Sequence, residues 1–211
     1  MSMSVILGYD PGGNHSHGVA AASVAGDRIV GITTATCETA ADALSWLQSH
    51  ERIVGVGVDT LAAWSLGASG WRAADRWLKR QYPNCQASVV SPNGLYGSMG
   101  INGMAVLCAL RSANSTLIVC ETHPKVLYHA LCGEKYSYAS HRRIMNDRLV
   151  NWAKCSINPK NDHEWDAALS AYAAAQGFLG HWTMDLYEKS IDQGESLVWP
   201  CGESKYWWPD T

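Results

Sequence analysis

The sequence predicts an α/β protein built on a mixed sheet, a three-strand antiparallel meander followed by parallel strands, with helices on its flanks. Three observations carry this. Residues 4–9, 18–25 and 28–34 read as consecutive strands, the last two joined by the tight Gly26–Asp27 connection of a hairpin. A helical pattern in ETAADALSWLQSH (38–50) then leads into the apolar run IVGVGVDT (53–60), a strand, helix, strand crossover. Finally, a further apolar run, TLIVCE (116–121), is followed by helical patterns to the end of a long Ala-rich segment, DHEWDAALSAYAAAQGFLG.

The remaining elements follow from local signals. WRAADRWLKRQ (71–81) is a short amphipathic helix stopped near Pro83, and ASVVS (87–91) has the composition of another strand. The Gly-, Ser- and Asn-rich stretch SPNGLYGSMGINGM reads as a loop before a helix at 104–112. Pro124 suits the first turn of a helix carrying Val126, Leu127, Ala130 and Leu131, and a helix polar on one side covers 140–155. With 211 residues, 47% of them hydrophobic, one domain with elaborations is expected: a unit over 1–180 with an insertion near 84–115, and a C-terminal extension, 181–211, packed on it.

Composition narrows the function. A formal net charge of -3 and a pI near 6.2 argue against a large electrostatic grip on nucleic acid, so a polyanionic partner has to be held by metal ions or local patches. The clusters Arg76, Lys79, Arg80 and His141, Arg142, Arg143, Arg148 read first as solvated helix faces. Seven cysteines, odd in number and widely spaced, suggest neither a disulfide framework nor a zinc site and fit a reducing cytoplasm. No leader-like N-terminus or membrane-length apolar run is present, so a cytoplasmic protein is expected.

The functional signal is that three strand-like runs end in an acid: VILGYD at Asp10, IVGVGVD at Asp59 and TLIVCE at Glu121. Side chains at the carboxyl ends of parallel strands gather at one edge of a sheet, and three carboxylates there repel one another unless a hard divalent cation joins them. Asp166, beyond the first turn of the last long helix, adds a fourth acid if that small-residue helix lies close against the sheet. Asp162 and Glu164 have simpler explanations, a favourable place at the helix start and a capping box with Asn161. Asp59, before Thr60, is equally well placed to cap a following helix. His163 and His123 are both placed to shuttle a proton, whereas His15 and His17 read as solvated loop residues. Tyr96, Arg142 and Arg143 are of the type that positions phosphates or stacks on bases.

The GYDPGG turn on strand one, the meander, the acids at later strand ends and the Asp in the last helix together resemble the RNase-H-like fold. The first motif is similar to that of Holliday-junction resolvases, and GVDT, ETHPKVLYHAL and HEWDAALSAYAAA resemble a little-characterised family of predicted nucleases with that fold. The resemblance implies a metal-dependent nuclease, a hydrolase of nucleic-acid phosphodiesters by a two-metal mechanism with Mg²⁺ or Mn²⁺. It assigns Asp10 as the bridging ligand, Glu121 and Asp166 as further ligands and Asp59 as an additional acid; catalysis is expected from Asp10, Glu121 and Asp166, with His163 carrying the proton on the ground of its residue type rather than of the resemblance. DNA or RNA is the implied partner. The tail, with Trp199, Trp207 and Trp208, is a candidate cover for an apolar patch or a surface for a second copy or another protein. Two other classes compete: a non-catalytic binding or scaffold module on the same fold, and a sugar-kinase-like phosphotransferase, for which the chain is too short to hold both lobes.

Overall fold

The computed structural model describes residues 3–13, 15–90 and 97–210. Among these, five strands form the main sheet: β1 (Ser4–Asp10), β2 (His17–Ala25), β3 (Arg28–Cys37), β4 (Ile53–Val58) and β6 (Ile118–Glu121). Their order is β3-β2-β1-β4-β6, with β1 antiparallel to β2, β2 antiparallel to β3, and the β1–β4 and β4–β6 pairs parallel. This is the expected arrangement, an antiparallel meander followed by parallel strands. A two-residue strand, β5 (Trp64–Ser65), lies outside it.

Helices cover both faces. The alternation along β1 sends Ile6 to one core and Leu7 and Tyr9 to the other. The Leu7 side packs under α1 (Ala40–Gln48) and α3 (Gly97–Ala113), through Ala43, Leu47, Val106, Leu107 and Leu110. The first of these is closed by a capping box in which Thr39 and Asp42 satisfy each other's backbone groups. The Ile6 side packs under α2 (Ala73–Gln81), α4 (Pro124–Cys132), α5 (Tyr138–Ala153) and above all α6 (Asp162–Phe178).

What brings α6 so close is a row of glycines on the sheet face beneath it. A Cβ added at Gly8, Gly18 or Gly57 would lie about 2.0, 1.9 and 2.0 Å from the carbonyl oxygens of Ala167, His163 and Ser170. Helix backbone therefore rests directly on strand backbone. That close approach places Asp166 at the carboxyl ends of β1 and β4.

Two local expectations are corrected. ASVVS is not a strand: Pro83–Ser88 forms a 3-10 helix and residues 89–90 have no regular structure. The Gly- and Asn-rich stretch is helical from Gly97 onward, and its earlier part, with Tyr96, lies outside the described residues. The α3 start is held by tertiary contacts, since Asn102 donates to the Gly12 carbonyl at 2.8 Å and Gly103 sits against Thr60.

The C-terminal segment packs on the rest of the chain. β7 (Met184–Asp185) pairs with β9 (Trp207–Trp208), and β8 (Leu197–Val198) pairs with β5; α7 (Glu188–Asp192) lies between β7 and β8. Lys205 adds a bridge along the outer edge of β6, so the tail covers that edge of the sheet. Trp208 is fully buried and donates to the Tyr82 hydroxyl, and Trp199 and Trp207 are half-buried. These tryptophans pack against their own chain. All seven cysteines are free, and among the described residues no helix is long and apolar enough to cross a membrane.

Candidate metal centre

Asp10 is the last residue of β1, Asp59 follows β4, and Asp166 lies one turn into α6. One carboxylate oxygen from each lies within 4.8 Å of the other two. The turn after Asp10 is tight: a Cβ at Gly12 would meet the Ser16 carbonyl oxygen at 2.0 Å. Gly12 N–H also donates to Nδ1 of His17, which accepts from the Tyr9 hydroxyl as well. His17 is therefore buried at the start of β2 rather than solvated in a loop, and burial with the nearby His163 lowers its pKa. His15 is exposed, close to Glu38.

The electrostatics of the trio are those of uncompensated charge. Burial, then the charge of Asp59, raises the pKa of Asp10 well above the usual carboxylate range. Burial does the same to Asp166, reinforced by Asp10 and Asp59. Asp59 is pushed up to about 7, by burial first and in part by Glu121. Lys125, exposed on the first turn of α4, opposes the shift at all three. Among the described residues no lysine or arginine is ion-paired to any of them. Asp10 is met by Nδ1 of His163 at 2.8 Å, and Asp166 accepts from the Tyr136 hydroxyl at 2.8 Å.

Glu121 was expected in this group as a ligand, and the structure directs its carboxylate elsewhere. Oε1 accepts from Arg72 Nη2 at 2.6 Å; Oε2 accepts from Arg72 Nη1 at 2.8 Å, from the Ala62 N–H at 2.6 Å and from the Tyr187 hydroxyl. Asp75 holds the other side of the same guanidinium. Asp59, for which helix capping was an equal alternative, caps nothing, because no helix follows it, and it occupies the strand-end place beside Asp10.

The other expected residues separate clearly. His163 lies against Asp10 with its ring partly exposed, whereas His123 precedes α4 with Nε2 donating to the Ser88 carbonyl, and burial lowers its pKa to about 4. That holds His123 neutral at physiological pH. Asp162 sits exposed at the start of α6, and Asn161 accepts from the Glu164 N–H as a cap. Glu164 does not complete the box; it accepts from Thr34, Thr36 and the Lys160 N–H. Arg142 donates to the Pro159 carbonyl. A cavity of about 340 Å³ adjoins the trio, with Asp59, Thr60, Thr122, His123 and Lys125 among its walls. Lys125 had no sequence signal beyond its place after Pro124.

No family model matches the chain, and no curated protein matches it. Among solved structures it is similar to Thermus thermophilus RuvC, at 14% identity and a TM-score of 0.46, covering 83% of this chain and 96% of that one. The same protein in complex with its Holliday junction substrate aligns at 13% identity and a TM-score of 0.39, over 84% of this chain and 96% of that one.

Proposed function

We propose that this chain is a nuclease that hydrolyses nucleic-acid phosphodiesters with Mg²⁺ or Mn²⁺ held by Asp10, Asp59 and Asp166. The observation that carries this reading is the convergence of three carboxylates, two buried and one partly buried, within 4.8 Å, without an internal lysine or arginine paired to them. The donor set fits the group: carboxylate oxygens are what hard divalent ions select, and such an ion offsets the burial, and the charge of neighbouring carboxylates, that raise all three pKa values. When bound, the ions supply Lewis acidity and charge neutralisation at the phosphodiester, by a two-metal mechanism.

The chain's own residues have distinct parts. Asp10 and Asp59 are fixed by the sheet and Asp166 by α6, so the three acids are set before substrate arrives. His163, with Nδ1 on Asp10, has Nε2 left to give or take a proton. Tyr136 orients Asp166 through its hydroxyl. Lys125, on the wall of the adjoining cavity, is placed to hold a phosphate oxygen, which supplies the local positive charge that the overall -3 does not. Holliday-junction substrate in the RuvC complex makes branched DNA one of the substrates to offer.

The test is cleavage of labelled duplex DNA, single strands, RNA–DNA hybrid and four-way junction with Mn²⁺, for the wild type and Asp166→Asn. Metal-dependent cleavage of at least one substrate, lost in the variant, is expected. Binding of Mn²⁺ and nucleic acid with no cleavage of any substrate would instead favour the non-catalytic module.

A further inference from the structure

Arg72, Asp75 and Glu121 are among the most buried charged residues of the chain, with side chains 1%, 3% and 2% exposed, and the proposed chemistry uses none of them. All the guanidinium N–H groups are spent inside the protein: Nε and Nη2 on Asp75, Nη1 and Nη2 on Glu121, and Nη1 also on the Ala63 carbonyl at 3.0 Å. Arg72 therefore has no donor left for a substrate, and both oxygens of Glu121 are engaged inside the protein.

What these bonds hold is the turn behind Asp59. In front, Asp59 is tied to the sheet by its N–H on the Tyr9 carbonyl at 2.9 Å. Behind it, residues 60–63 leave the sheet without regular structure, yet Ala62 and Ala63 are fully buried. Their polar backbone groups need partners there, and the partners are Glu121 for the Ala62 N–H and Arg72 for the Ala63 carbonyl.

The C-terminal segment in turn holds Glu121. Lys205 brackets it on the backbone, accepting from the Glu121 N–H and donating to the Val119 carbonyl, each at 2.7 Å. Tyr187 donates to Oε2, and burial, then the Glu121 charge, pushes its pKa well above the ordinary tyrosine value, so the hydroxyl stays a donor.

We propose that Arg72, Glu121 and Tyr187 are positioning residues for Asp59, so that the C-terminal segment, through Tyr187, completes the metal centre without touching the metal. This rests on the reading of the trio as a metal centre. A partner hydrogen-bonded directly to a ligand typically changes metal affinity by about 10–100-fold when lost, which sets the upper bound for residues that act on Asp59 through the Ala62 and Ala63 backbone.

The test uses the full chain, as wild type, Tyr187→Phe and Glu121→Gln, all confirmed folded by circular dichroism. Two readouts are taken well below the unfolding temperature: Mn²⁺ binding by calorimetry, and NMR of the Ala62 amide exchange rate with the Asp59 carboxyl carbon resonance. Tyr187→Phe is expected to weaken Mn²⁺ by about 10-fold, and Glu121→Gln by up to about 100-fold, with the number of ions bound unchanged. Both variants speed exchange at Ala62 and shift the Asp59 resonance. Wild-type affinity in both variants would overturn the proposal, as would a lower number of ions in Glu121→Gln, which would make Glu121 a ligand. A wild type that binds no Mn²⁺ would refute the metal reading by itself. The NMR readout would then decide the positioning role alone, and an unchanged Ala62 and Asp59 in both variants would overturn it.

Discussion

Two groups of buried acids stand side by side at the carboxyl ends of the parallel strands, and the protein treats them in opposite ways. Asp75 and Glu121 share one guanidinium, and every oxygen of both carboxylates has a donor. Asp10 and Asp166 are as deeply placed, at 4% and 6% exposure, but meet only an imidazole and a phenol. Burial without a counter-charge costs several kcal/mol per ion, so a chain retains such a group only where protonation or an outside cation neutralises it. The first group is thus a closed strut and the second an open site. Distance from the strand ends does not separate them; the presence or absence of Arg72 does.

The largest expected effect comes from opening the closed group. Arg72→Met leaves Asp75 and Glu121 buried without a partner and should cost about 3–5 kcal/mol in urea unfolding. A cost under about 1 kcal/mol would mean the strut is not the closed unit described.

Next is the effect of pH on the open group. Asp59 is lifted from 3.8 to about 7, so between those values the folded chain keeps a proton that the unfolded chain has released. Its contribution to stability is whole below about pH 4 and disappears as pH rises through about 7. Metal-free protein should therefore lose thermal stability between about pH 4 and 7, and Mn²⁺ should restore it above pH 7. A flat profile would contradict the raised values.

Asp10→Asn sharpens the contrast further. It removes one member of the repelling trio, so at pH 8 without metal it should unfold at a higher temperature than the wild type, roughly 2–4 °C for each kcal/mol of repulsion relieved. The smallest effect is expected for Lys125→Gln. Loss of the cation that opposes all three shifts should move the onset of Mn²⁺ binding to higher pH. It should also reduce the salt slope of nucleic-acid binding by about one.

Much of this was legible in the sequence because the signals are local. The GYD and GVD strand ends and the small-residue helix bearing Asp166 each show their place within a few residues, and the glycine row explains why that helix reaches the strand ends. Glu121 shows the same strand-end pattern as Asp10, but its fate is set by Arg72, 49 residues away, and Tyr187, 66 away, which no local pattern reveals. Likewise Gly97–Ala113 is poor in early helix formers, and its start is held by Asn102 on the Gly12 carbonyl and by burial of Val106 and Leu107. ASVVS has strand composition but no strand partner, so Pro83–Ser88 winds into a 3-10 helix instead.

The most direct test of the open site is a Mn²⁺ titration by calorimetry at pH 7.5 on the folded wild type and on Asp10→Asn. Saturable binding accompanied by proton release in the wild type, abolished by the substitution, is the expected result. A folded wild type that binds no Mn²⁺, or an Asp10→Asn variant that binds it as tightly, would contradict the assignment of Asp10, Asp59 and Asp166 as a metal centre.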